Sequence, residues 1–408
     1  MRFLFVSDFL DQPDSGSAGS LIDIGNALER LGDRVHYVWH DPAQVERFHP
    51  RFNQVVALPR QWLAMLERRL REQPYDAIIA SQPYAYLVFE RLAPRYPRTV
   101  FLNRTHGWED RLRDAERRLG WREESGLLHG LMIEMSARLT HNACVRTARA
   151  AAGIISPSSL CARYIVENYG IDPERVAVVP YGINSDFCGS SRSARDRGSP
   201  IRLLYAGQYL ERKGTGLLEA MLPAISRRYP NMRITFVVPS DSVNRVHAVF
   251  DASFGDRLSV MPWMPRAQLR YVYSEHDILL FPSLFEGFGK VCLEAMSQAM
   301  CVVAFDEGGI SDIAIANRDA LYCKAGDYVR FRQLLRGAIE NPEFAQVIGL
   351  AARSRVTTFT WDRTARRTRD FCEKLRGRYE TKTARFARPN SSEALQAAAN
   401  SAAKLQPH

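Results

Sequence analysis

Short apolar runs, three to six residues long, recur along this chain with longer helical patterns between them, and they come in two series. The first series lies at 3–6, 35–39, 77–80, 100–102, 153–156 and 176–180. A stretch rich in Ser, Arg and Gly follows at 189–200 and reads as an interdomain linker. The alternation then restarts at 201–206, 234–238, 258–261, 278–282 and 302–305. Strands buried on both faces read as continuous apolar runs, and helices between them imply parallel pairing. The pattern therefore predicts an α/β protein with two doubly wound, Rossmann-like parallel sheets, one spanning 1–188 and one spanning 201–358. One large sheet with a long insertion is the alternative arrangement. A basic helix is expected at 361–379 and a polar, disordered tail at 380–408.

Composition narrows the setting. With 408 residues there is chain enough for more than one core, and the net charge of +10 favours anionic partners without choosing among them. Seven cysteines, none in a C-x-x-C pair, suggest free thiols in a reducing compartment and no structural zinc site. The apolar start at 3–6 is too short for a secretion signal, and no run approaches the ~18 apolar residues of a membrane span. A cytoplasmic location is the expectation, with contact at the inner membrane face a further option.

The segment that carries most chemistry is FPSLFEGFGKVCLEAM at 281–296. A strand end leads into Glu286-Gly287-Phe288-Gly289 and then a helix. Glycines at such a turn let backbone amides approach a ligand, and the helix N-terminus favours a phosphate there. Eight helical positions rotate by about 800°, so Glu286 and Glu294 would not share one helical stripe. Both can face a ligand only if Glu286 precedes the helix. A carboxylate beside a nucleotide accepts hydrogen bonds from ribose or hexose hydroxyls. Taken alone, the pair could equally be one Glu favouring a helix N-terminus and one solvated Glu.

These residues resemble the family 4 glycosyltransferases, whose pattern is Ser-x-x-Glu-Gly-Phe-Gly followed by a second Glu, with seven residues between the carboxylates. Ser283, Glu286, Gly287, Phe288, Gly289, Glu294, Ala295 and Met296 match it position by position. The resemblance implies the GT-B fold, with two domains facing across a cleft. It implies a nucleotide-diphosphate sugar as donor, transfer with retention, and no metal or other cofactor. It places Glu294 on the donor ribose, Glu286 near the transferred sugar, and the turn glycines on the diphosphate.

Other segments extend the likeness. Lys213 matches the phosphate-binding Lys, but Gln208 stands where an Arg is usual, and Arg212 is offered as its substitute. His106, in Arg104-Thr105-His106-Gly107-Trp108, matches a His after the fourth strand that lies near the transferred sugar. Gly16 falls in the loop before a helix at 21–31, where the family has two glycines facing the donor phosphates. Tyr181-Gly182 ends the first domain, and Gly308-Gly309 forms a second glycine turn with Asp312 where Glu is commoner. Phe359-Thr360-Trp361 begins a helix expected to cross back to the first domain. Val237-Val238-Pro239-Ser240 and Ala299-Met300-Cys301 depart from the family's Gly-rich turn and Gly-x-Pro.

The acceptor stays open. Arg111 to Arg122 reads as a basic amphipathic element that could meet a membrane surface and a lipid-linked glycan, or as a solvated helix. The rival readings are a phosphorylase or hydrolase on the same fold and a non-catalytic binding module. Nucleic acid is disfavoured, because the basic stretches near Arg68 and around 364–369 lack interleaved aromatics.

Overall fold

The computed structural model describes residues 1–8, 16–39, 56–81, 83–120, 127–184, 187 and 198–386. Two six-stranded sheets form, in which every described strand pairing is parallel. The first contains β1 (Arg2–Val6), β2 (Arg34–Val38), β3 (Ala77–Ser81), β4 (Val100–Arg104), β5 (Gly153–Ser156) and β6 (Val176–Val178), in the order β2-β1-β3-β4-β5-β6. The second contains β7 (Arg202–Ala206), β8 (Arg233–Val238), β9 (Leu258–Pro262), β10 (Ile278–Phe281), β11 (Cys301–Asp306) and β12 (Leu321–Lys324), in the order β12-β11-β10-β7-β8-β9. All eleven expected strands are present within a residue or two of the apolar runs. The twelfth, β12, is not marked by such a run: LYCK is short, and only its first residue is fully buried.

In each sheet the strand order reverses beside the first strand, which opens a crevice at the carboxyl ends. Helices connect the strands in the first half: α1 (Gly16–Arg30), α2 (Leu58–Glu72), α3 (Tyr86–Leu92), α4 (Glu109–Leu119), α5 (Leu127–Ala150) and α6 (Ser159–Tyr169). In the second half they are α7 (Thr215–Arg228), α8 (Val243–Phe254), α9 (Arg266–Ser274), α10 (Lys290–Ser297), α11 (Ile310–Ile313), α12 (Tyr328–Glu340) and α13 (Pro342–Val356). The last helix, α14 (Trp361–Phe386), returns to the first domain. It packs on α1, with Arg30 paired to Asp362 at 2.7 Å, and Arg376 reaches Asp76 at 3.0 Å.

Three expectations need correction here. The last helix runs to Phe386, so 380–386 is helical and not part of a tail; 387–408 lies outside the described residues, as does most of the 189–200 linker. The first helix begins at Gly16, five residues before the expected start, because Ser17, Ala18, Gly19 and Ser20 all fit a helix that buries Ala18 and Ser20. Arg111 does not face solvent or a membrane: its side chain is 7% exposed and pairs with Glu307 of the other domain. Further along α4, Arg113 and Arg117 turn outward toward Glu134. Near Arg68 the charges pair along the helix (Arg68 with Glu72, Arg71 with Glu67), as on a solvated face. The six described cysteines are free, and five of them are buried.

The cores explain why the two domains sit as one unit. One apolar cluster covers the outer face of the first sheet, and another fills the second domain. A third joins Phe3, Phe5, Leu21 and Ile24 of the first domain to Phe281, Phe288 and Leu293 of the second, through Tyr181, Ile183, Phe187 and Trp361.

Candidate functional site

Glycine sterics build the site. Gly214 has φ +76°, and a Cβ there would lie 2.0 Å from the Pro282 carbonyl oxygen. The short turn Glu211–Lys213 is thereby pressed against the exit of β10, and the amides of Leu284 and Phe285 donate to the Arg212 carbonyl. That packing brings the Lys213 ammonium onto the Glu286 carboxylate. Glu286 precedes α10, which starts at Lys290 behind Gly289 with φ +92°, so the geometric condition set by the two Glu is met.

The two walls touch at Gly287. A Cβ there would stand 1.7 Å from the carbonyl oxygen of His106, so only glycine fits. The structure therefore brings His106 of the first domain directly against the Glu286-Gly287 turn of the second. Glu286 is largely buried. Burial acts to raise its pKa, but Lys213 outweighs this by charge and hydrogen bonding, helped by Arg212 and the Gly287 amide, and holds the carboxyl below its usual range. His106 shares a 2.9 Å hydrogen bond between Nδ1 and the Tyr181 hydroxyl. Burial, reinforced by the nearby Arg104, lowers its pKa to about 3, so the ring is neutral at physiological pH.

Glu294 sits in the second turn of α10 and accepts a 3.0 Å hydrogen bond from the Tyr273 hydroxyl. Gln208 and Arg212 meet each other: the guanidinium donates to the Gln208 side-chain oxygen. Arg212 thus brings its guanidinium to the side chain at position 208. Phe288 is buried with its ring 5.0 Å from that of Tyr181, so its side chain packs the domain junction. Gly16 starts α1, and a Cβ there would meet no heavy atom within 4 Å among the described residues, so sterics alone do not demand glycine.

Two residues, Arg111 and Asp23, carry no clear mark of their contacts in the sequence. Arg111 pairs with Glu307 and also donates to the Glu286 carbonyl, tying α4 to the turn itself. Asp23 of α1 faces Arg266 at 3.1 Å and Lys290 at 3.9 Å. Asp312 accepts from the Ser159 amide at 2.7 Å and so caps α6 from across the cleft. The signal for Glu307 lay beside Gly308-Gly309, where Gly308 has φ +68° and packs on Glu286. Its partner in α4 is 196 residues away and left no local trace. A separate surface cavity of about 460 Å³, lined by Asp110, Arg113, Glu134 and His141 among others, shares none of the expected site residues. Among the described residues no cluster of three or more His, Cys, Asp or Glu could hold a metal ion, and no helix is long and apolar enough to cross a membrane.

Comparison with known proteins follows the same division of the chain. Residues 15–187 match the family described as Glycosyltransferase Family 4, and residues 191–355 match Glycosyl transferases group 1. A D-inositol 3-phosphate glycosyltransferase of Pseudarthrobacter chlorophenolicus is 26% identical over 226 residues, which is 53% of this chain and 54% of that protein. A glycogen synthase of Mycobacterium tuberculosis is 25% identical over 249 residues, 59% of each chain. The chain thus spans little more than half the length of these relatives. Among solved structures, a sucrose-phosphate synthase of Thermosynechococcus elongatus superposes with a TM-score of 0.74 at 18% identity, covering 92% of this chain and 99% of that one. HepE of Anabaena, solved with UDP, gives a TM-score of 0.66 at 16% identity, covering 92% and 100%. At these identities the structural likeness speaks for the GT-B fold alone.

Proposed function

This chain belongs to the family 4 glycosyltransferases, and on that premise we propose that it moves a glycosyl group from a nucleoside-diphosphate sugar to an acceptor held by the first domain, with retention and without a metal ion. The observation that carries this reading is the Lys213–Glu286 pair beneath the glycine turn, facing His106 across the cleft. Neighbours of the same fold solved with UDP, UDP-glucose or ADP support a donor of this class.

Lys213 rests on the Glu286 carboxylate. A diphosphate at the N-terminus of α10 gives Lys213 a second anion, and the helix end and Arg212 add to the positive field. Relieved of part of that pairing, Glu286 accepts hydrogen bonds from the transferred sugar's hydroxyls. As the glycosidic bond breaks, charge grows on the diphosphate, and Lys213 stabilises it where it forms. Glu294 keeps accepting capacity beyond its bond from Tyr273 and takes the ribose hydroxyls. His106, being neutral, contributes a hydrogen bond and not a charge. Because Glu286 is committed to Lys213, a route through Glu286 as a free nucleophile is disfavoured.

The test is thermal unfolding with UDP, GDP, ADP and their common sugars, on the wild type and on Glu294→Ala. One nucleotide should stabilise the wild type selectively, and the variant should lose most of that response. A folded wild type that responds to none of them overturns the proposal.

A further inference from the structure

Arg104 is the last residue of β4 and is 1% exposed. All three nitrogens of its guanidinium are buried, and none has a hydrogen-bond partner among the described residues. The group stands over Tyr181, 5.2 Å from the ring centroid. The ring face steadies the cation and the Tyr181 hydroxyl also interacts with it, but one phenol supplies no anion and leaves most of the five N–H groups unmet. Burial pushes the Arg104 pKa down, opposed by Tyr181. Charges buried in this way are ordinarily paired, and an unpaired one is strongly unfavourable.

A second orphan stands beside it. Ser81, the last residue of β3, is in register with Arg104 across the parallel pair. It is 2% exposed, and its hydroxyl has no partner among the described residues. Register partners in parallel strands project from the same face. A planar fork of donors and a hydroxyl therefore meet at the carboxyl ends of two central strands, where sheets of this kind take their ligands. The same corner holds Tyr181, which contacts His106, and Ser20 near the start of α1 also reaches the Tyr181 hydroxyl.

We infer that Arg104, with Ser81, binds a negatively charged group carried by the sugar acceptor, a phosphate monoester or a carboxylate. The inference rests on the transferase reading above and names the acceptor's chemical class. An Arg fork matches both groups by two parallel hydrogen bonds, which a neutral hydroxyl cannot supply. The acceptor is favoured over the donor diphosphate by position. Arg104 belongs to the first domain and precedes the His106 contact, whereas on the transferase reading the diphosphate is taken by Lys213, Arg212 and the start of α10 of the second.

The test uses the full chain with its donor site filled by a saturating amount of the nucleoside diphosphate that stabilises it. Inorganic phosphate is then titrated against the wild type, Arg104→Met and Arg104→Lys, with Tm as the readout. Phosphate should raise the wild-type Tm. Its apparent affinity should fall about 10–100-fold in Arg104→Met and less in Arg104→Lys, which keeps the charge but loses the fork. The nucleotide response should be unchanged in both. Arg104→Met should melt no lower than the wild type before ligand is added, since it replaces an unpaired buried charge by an apolar chain. With donor supplied, sugar phosphates or uronic acids should be glycosylated by the wild type in preference to neutral sugars, and Arg104→Met should lose that preference. An unchanged phosphate response in Arg104→Met, or equal use of neutral sugars by the wild type, overturns the inference. A nucleotide response lost with Arg104 would assign the residue to the donor and overturn it as well. Absence of any nucleotide response in the folded wild type instead sinks the transferase reading, and this inference with it.

Discussion

The two walls of the cleft handle charge differently. On the second-domain wall Lys213 rests on Glu286, Arg212 on Gln208, and Glu294 on Tyr273. On the first-domain wall His106 is neutral and Arg104 has no anion among the described residues. A paired wall is pre-organised and can exchange one partner for a ligand at small reorganisation. An unpaired wall stores its charge until something else supplies the anion. Arg111, a first-domain cation whose partner Glu307 lies on the opposite wall, departs from this, as does Asp23 with Arg266 and Lys290, and Arg111 is the natural place to break the contrast.

Arg111→Met should give the largest stability effect. It leaves Glu307 buried without its cation and the Glu286 carbonyl without a donor, a loss of about 3–5 kcal/mol in urea unfolding. Burial already raises the Glu307 carboxyl, and Arg111 opposes that rise, so the deficit should shrink as falling pH protonates Glu307. Pairing the change with Glu307→Leu should recover most of the loss. A double variant as unstable as the single one would mean that packing, not charge, joins the walls here.

Lys213→Met tests the paired wall itself. Transfer should fall about 10²–10³-fold in kcat, the usual effect of removing one group that stabilises developing charge. A drop confined to KM would move Lys213 from transition-state stabilisation to uniform donor binding.

His106 sharpens the contrast through pH. Its pKa is about 3 in the folded chain against an ordinary value near 6.5, so between those values the unfolded state binds more protons. Stability should therefore be lost as pH falls through that window, by at most about 1.4 kcal/mol per unit from this residue. His106→Gln should flatten the profile there relative to the wild type. Identical profiles would show that the ring is not buried neutral.

The smallest effect lies away from the cleft. Ala299 has φ +55°, a left-handed conformation unfavourable for a residue with a Cβ. Ala299→Gly should raise stability by about 0.5–1 kcal/mol, with no change in nucleotide response. Gly349 of α13 packs against the Ala299 carbonyl, so the turn keeps its shape.

Legibility followed locality. Glu286, Glu294 and the glycines of one sixteen-residue stretch could be read from sequence because strand, turn and helix are contiguous there. Lys213 was reached by its own local motif, and its contact with Glu286 follows from Gly214 packing on Pro282. Nothing local marked Arg111 as a partner of Glu307. Its setting in RLRDAERRLGWR looked like a basic surface, and only the fold turns that one residue inward. Arg104 was in plain view beside His106, but burial without a partner is a property of three-dimensional surroundings.

The sequence by itself determined the two parallel sheets, because apolar period acts over neighbouring residues, while the helix that crosses back and the donor-side roles entered through resemblance. Tertiary structure alone decided which charges are paired across the cleft and which is left waiting. Desolvation and ion pairing depend on groups brought together from up to 196 residues apart, and no window along the chain contains both partners.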